Sequence, residues 1–428
     1  MNNIKRRIAV SMLLIFVLVC GLLSACGSGG SGKDNKTPDA TDSAQIETTA
    51  SAEEPGADQS EQASSETHKI GVLVYDIADE EVMAFRHYLE GYIAQVFPDV
   101  QFLYSQSIMS PEAELEFIQS AADAGAEGIM SFLSYDLEAE VSLCEKNEIY
   151  YLMASGSVAK DQFDAAADNP WFLGIVGPGE DIEYQAGYDL GKYMAEKDNG
   201  NDYFLLSGGA SMGNEMHLSR TKGILDAIQD VYGAAFEQDP ESLAGTQEPC
   251  HIKAGDASVC VCPGYISVDE FRETAEKEFA EDGFDVVLSV IPVTPMETTI
   301  KGCDVAAIDC YTESNLRLFS NGQLSYLTGK FGSLIGPSFA AMYNAVTGYA
   351  DDFQENGRAF EVTQGFWVSD SSDDYVEKYT YASSLELNAY NYEDLQSVCK
   401  VYNPNATLED LEKLAESCSF EDVQARRQ

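Results

Sequence analysis

Arg220 and Asp309 are the polar side chains whose chemistry is simplest to state. A guanidinium and a carboxylate present planar donors and acceptors in fork geometry, which suits neighbouring hydroxyls of a polyol. Tyr75, Tyr135 and Phe85 are aromatic rings that could lie on the apolar face of such a ligand, although Phe85 suits core packing better. Other chemistries find little support. The four histidines form no H-E-x-x-H pair. Cys250, His251, Cys260 and Cys262 cluster in sequence, but their spacing fits no usual zinc module, so free thiols or a disulfide is the expected state and no metal is assigned. The Gly-rich run Ser207–Asn214 lacks the G-x-x-x-x-G-K-[ST] pattern and reads as a tight turn. No G-x-S-x-G elbow is present, and nothing singles out a catalytic carboxylate pair among the 72 acidic residues. No catalytic residue and no cofactor is expected.

These residues need strands and helices to hold them. Lys69–Tyr75, Val100–Tyr104, Gly128–Leu133 and Ile149–Met153 are short apolar runs. Between them lie amphipathic helical stretches at about 80–96, 111–124 and 137–146. The pattern restarts at Trp171 and repeats through strands near 203–206, 285–290, 304–308 and 324–328, with residues 232–266 reading poorly. Such alternation predicts α/β architecture with two doubly wound parallel-sheet lobes. In open sheets of this kind, ligands sit at the carboxyl ends of strands. That rule selects Tyr75, Asp76, Tyr135, Ser155 and Asp309.

The amino terminus carries a separate signal. Lys5, Arg6 and Arg7 precede an apolar run from Ile8 to Leu23, too short and too interrupted for the about 18–20 residues of a membrane span. Leu23-Ser24-Ala25-Cys26 follows. The segment reads as a secretory signal peptide over 1–25. Residues 26–67 are rich in small and acidic residues and read as a disordered acidic linker. The formal net charge of −47 disfavours nucleic acid and anionic lipid as partners. Of 10 cysteines, eight lie beyond Cys26, and their scattered spacing defines no pairing.

Two resemblances sharpen these expectations. The Leu23–Cys26 tetrad resembles the bacterial lipobox, which implies cleavage before Cys26 and its lipidation (palmitate included), tethering the protein to the extracytoplasmic face of the cell membrane. The order of elements from about 68 to 348 resembles the type 1 periplasmic binding proteins, in their ribose- and galactose-binding branch. Four stretches carry this: Lys69–Val74; Leu173–Gly177 with Gln185–Gly191; Ser207–Ser211 with Arg220–Ile228; and Val305–Asp309 with Gly329-Lys330 and Ile335-Gly336. The resemblance places Arg220 and Asp309 in an interlobe cleft, and Lys330 where the family often has Gln. The chain departs from the family at Asp76–Glu80 and at Ala154–Gly156, which implies different pocket chemistry. The implied organisation is an N-terminal lobe of 68–170 and 325–350, a C-terminal lobe of 171–324, and a crossover and acidic tail over 351–428. The implied function is that of a monomeric solute-binding lipoprotein, not an enzyme. It would bind a sugar or related polar molecule and deliver it to an ABC permease. The alternatives are a sensor subunit for a membrane receptor or kinase, a nucleoside-binding lipoprotein and an extracellular enzyme.

Overall fold

The inner strands of the first sheet are short apolar runs because they are covered on both faces, as parallel strands must be. The computed structural model describes residues 67–427 apart from Asp198. The expected signal peptide, Cys26 and nearly all of the expected linker lie outside them. β1 (His68–Leu73) leads to α1 (Glu80–Tyr88), whose first turn is capped by Asp79 accepting from the Glu81 and Val82 amides. α1 continues through a π-helical turn at Leu89–Ile93. β2 (Val100–Tyr104), α2 (Pro111–Asp123), β3 (Gly128–Ser131), α3 (Leu137–Asn147), β4 (Tyr150–Ala154), α4 (Lys160–Ala166) and β5 (Phe172–Gly177) complete the first run.

The second lobe opens with α5 (Glu180–Glu196), β6 (Asp202–Gly208) and α6 (Glu215–Tyr232). α5 and α6 touch backbone to backbone because glycines line the contact. A Cβ on Gly187 would sit 2.0 Å from the Arg220 carbonyl oxygen, and one on Gly223 would sit 2.2 Å from that of Tyr184. Next come α7 (Pro240–Ala244), β7 (Cys250–Ala254), β8 (Ala257–Pro263), α8 (Asp269–Asp282), β9 (Val286–Ser289), β10 (Asp304–Cys310), α9 (Glu313–Ser320) and β11 (Leu324–Lys330). The poorly legible stretch 232–266 is therefore a short helix and a hairpin, turning on Gly255 at φ +60°.

The chain then crosses back. α10 (Gly336–Asn344) packs beneath β3, β4 and β5, and β12 (Phe360–Thr363) pairs in parallel with β5. β13 (Trp367–Ser369) returns to the second sheet, antiparallel to β11. The orders are β12-β5-β4-β3-β1-β2 and β13-β11-β10-β9-β6-β8-β7. Two expected boundaries are thereby corrected. Phe172–Gly177 belongs to the first sheet, so that lobe runs past residue 170 to the crossover after Gly177. β11 belongs to the second sheet, so the second lobe extends through Lys330, and the return begins beyond it. A sequence shows that a strand exists, but not which sheet edge receives it.

The tail folds as α11 (Ser372–Ser383), α12 (Tyr392–Val398), α13 (Leu408–Glu416) and α14 (Phe420–Arg427). It grips both lobes. The Tyr375 hydroxyl bonds both the amide and the carbonyl of Thr312 in the second lobe. Tyr88 of the first lobe donates to the Tyr390 carbonyl at 2.5 Å, and the Tyr392 amide donates to the Tyr92 hydroxyl. Among the described residues no helix is long and apolar enough to cross a membrane.

Candidate functional site

The carboxyl ends of both sheets meet beside the three crossovers. Gln364 stitches these together: its amide donates to the Gly177 carbonyl, and its side-chain nitrogen donates to the Leu334 carbonyl at 2.8 Å. Trp367, which opens β13 just after the third crossover, stacks on Phe331 with ring centroids 3.9 Å apart and donates to the Cys418 carbonyl. The hinge is thus an aromatic core into which the tail is built.

Lys330 ends β11 and is 3% exposed. Its ammonium donates to the Ser155 carbonyl of the first lobe at 2.8 Å and lies 3.4 Å from Glu81 Oε1. Ser155 sits at φ +57°, a left-handed conformation that aims its carbonyl at Lys330 and leaves its buried hydroxyl without a partner. A second interlobe bond runs from the Ser314 hydroxyl to Glu80.

Tyr75 follows β1, and its hydroxyl donates to Asp79 Oδ1 at 2.9 Å. Burial pushes the Asp79 carboxyl up, and the charge of Glu81 adds to this, while the bonds from Tyr75 and the α1 amides oppose it. Asp309, near the end of β10, accepts from Asn315 Nδ2 at 2.7 Å. Burial is the main cause that pushes its carboxyl up to about 7, with Asp79 and Glu81 contributing and Asn315 opposing. Three carboxyl groups and one ammonium, contributed by both lobes, therefore face one another. A partly protonated carboxyl can both donate and accept, which suits hydroxyl recognition.

The expected residues divide. Tyr75, Ser155, Asp309 and Lys330 come together. Tyr135 is 45% exposed, and Tyr265 of the second lobe is among the groups that raise its phenol pKa, after burial and Glu114. Asp76 turns away: it accepts from Ala78 N and Ser107 Oγ and so holds the loop after β1. Arg220 makes its hydrogen bonds within the second lobe. It is 4% exposed, with Nε 2.5 Å from the fully buried Glu183 carboxylate and Nη1 donating to the Val290 carbonyl. The glycine contact between α5 and α6 brings that pair together, and the guanidinium is committed to the protein. His217 beside it accepts from the Gly209 amide, and burial holds its imidazole neutral. Asp79, Glu81 and Asn315 were missed. Asp79 carried a signal, since an aspartate before a helical run reads as an N-cap.

Another carboxyl pair, Glu114 and Glu140, lies beneath the loop after β3. Each is 1% exposed, and together they accept from the Tyr135 and Asp136 amides. Burial, and then the hydrogen bond with Glu140, push the Glu114 carboxyl up to about 10. The pair shapes the loop that carries Tyr135.

No family model matches the sequence, and no curated protein matches it. Solved structures do match. A galactofuranose-binding protein aligns with a TM-score of 0.54 at 12% identity, over 74% of this chain and 100% of its own. A solute-binding protein of an ABC transporter from Bacillus halodurans C-125, with bound myo-inositol, gives 0.55 at 14%, over 74% and 99%. The periplasmic component of the arabinose ABC transporter from Shewanella sp. ANA-3, bound to L-arabinofuranose, gives 0.53 at 14%, over 76% and 100%. The chain has the two-lobe α/β architecture of type 1 periplasmic binding proteins.

Proposed function

We propose that this chain is an extracytoplasmic solute-binding lipoprotein that takes up a sugar or related polyol between its lobes and presents it to an ABC permease. The observation that carries the reading is the interlobe set of Tyr75, Asp79, Glu81, Ser155, Asp309 and Lys330, at strand ends that two hinged lobes turn toward each other. The solved structures of similar fold include proteins named for galactofuranose, arabinofuranose and myo-inositol, all dense in hydroxyls. Binding exchanges the Lys330–Ser155 contact for contacts to ligand, and closure follows because a ligand touching both lobes favours the state in which both are in reach. Export and tethering rest on the leader and Cys26, and the role is binding, not catalysis.

Thermal unfolding against furanoses, pyranoses, inositols and nucleosides tests the reading. A ligand of the folded state raises the midpoint by mass action. A selective rise, lost in Asp309→Ala, supports it. Flat melting curves across the panel at millimolar ligand refute it.

A further inference from the structure

The β7–β8 hairpin and α8 bring together side chains that the sequence keeps apart. In the antiparallel register His251 lies opposite Cys260, so both project from one face of the sheet. Cys262, two residues on, projects from that face too. Cys250 pairs with Val261 and projects from the other, which sets it apart from Cys260 and Cys262 as a disulfide partner. Among the described residues no cysteine is joined in a disulfide. α8 lies over the shared face and supplies Glu278, whose Oε2 is 3.3 Å from His251 Nε2. One donor atom each from His251, Cys260 and Glu278 lies within 4.8 Å of the others.

We propose that these three residues form a binding site for a zinc-class divalent cation at the outer edge of the second sheet. Imidazole nitrogen, thiolate sulfur and carboxylate oxygen together make the donor set of a borderline-soft ion. With metal–ligand lengths of ~2.0–2.3 Å, a tetrahedral ion spaces its donors about 3.3–3.5 Å apart. The His251–Glu278 pair already has that spacing, and Cys260 needs a shift of about an ångström or so to join it. Burial is graded as an entry path requires: Cys260 is fully buried, the Glu278 side chain is 18% exposed and that of His251 is 45% exposed. The ion enters past His251, the thiol proton leaves to water, and the fourth position keeps a water on the solvent side. Spacing rules for zinc modules overlooked this set because its proximity comes from strand pairing and an overlying helix.

Cobalt(II) titration of the full chain, stripped with chelator and kept reduced, decides the matter. One equivalent with tetrahedral d–d bands and thiolate-to-cobalt charge-transfer absorption is expected, displaced by zinc. Cys260→Ser removes the charge-transfer band. His251→Ala, at an exposed position, and Glu278→Gln, a near-isosteric change at a half-buried one, weaken affinity ~10-fold or more, as even outer-shell changes do. Cys144→Ser, in the other lobe, changes nothing. An oxygen-only octahedral spectrum, or a spectrum indifferent to His251→Ala and Glu278→Gln, overturns the proposal.

Discussion

Replacing Arg220 with Met separates a binding role from a structural one. The substitution keeps much of the apolar stem and removes the charge that faces Glu183. Glu183 is fully buried, and its Oε1 already lacks a hydrogen-bond partner. Without the guanidinium, an uncompensated carboxylate must either stay charged in a dry contact or take up a proton. Breaking a buried pair from one side costs about 3–5 kcal/mol. For a cooperative unit the size of one lobe, with a slope of about 2–4 °C per kcal/mol, the midpoint falls by ~6–20 °C. The double variant Arg220→Met with Glu183→Leu removes both charges and recovers most of the loss, because a buried pair and an apolar pair of similar volume are nearly equivalent. Thermal and urea unfolding of the wild type and the two variants, followed by circular dichroism, measures this. A loss below about 1 kcal/mol in Arg220→Met, at the level of an ordinary exposed ion pair, would refute the reasoning. So would unchanged stability with abolished ligand binding, which would return Arg220 to the cleft.

Three other outcomes follow from the same geometry. Asp309 binds its proton more tightly in the folded chain than in the unfolded one, so its contribution to stability falls as pH rises from about 4 to about 7; Asp309→Asn removes that component, and matched denaturation curves across the window should differ in slope. Lys330→Met removes a charged interlobe hydrogen bond of about 1.5–3 kcal/mol, so the ligand-free protein should open, read as a larger radius of gyration in small-angle scattering; an unchanged radius would count against Lys330 as an interlobe latch. Gly187→Ala drives a methyl into the Arg220 carbonyl and should cost at least the ~1–3 kcal/mol of an overpacked core; an unchanged melting temperature would show that the two helices separate freely.

Much of the fold was legible because periodicity reports burial directly. Val72, Leu73, Val74 and Ile129, Met130 stand out as apolar runs since both faces of their strands are covered. Hinge topology was less legible: Phe172–Gly177 and Leu324–Lys330 read as strands without revealing which sheet they join. β7 went unread because an edge strand alternates, and its pattern of half-exposed residues is weak over five positions. Within the candidate site, Lys330 and Asp309 were proposed from strand ends and family likeness. The partner of Arg220 was not legible, because a one-dimensional pattern cannot show that Glu183, 37 residues earlier, accepts from its Nε. Glu81 was missed because an acid in the first turn of a helix looks like any other dipole-favoured surface residue.

The pairing of β12 with β5 sets an order of assembly. A ribosome makes Gly177 long before it makes Phe360. At ~5–20 residues per second, the roughly 180 residues between them take about 10–40 s. Throughout that interval β5 presents an unpaired edge, a template for mispairing. The first lobe, although its amino end is made first, is completed only after the second lobe has been synthesised, and the tail is added last. A chain truncated before Phe360 therefore leaves the β5 edge open.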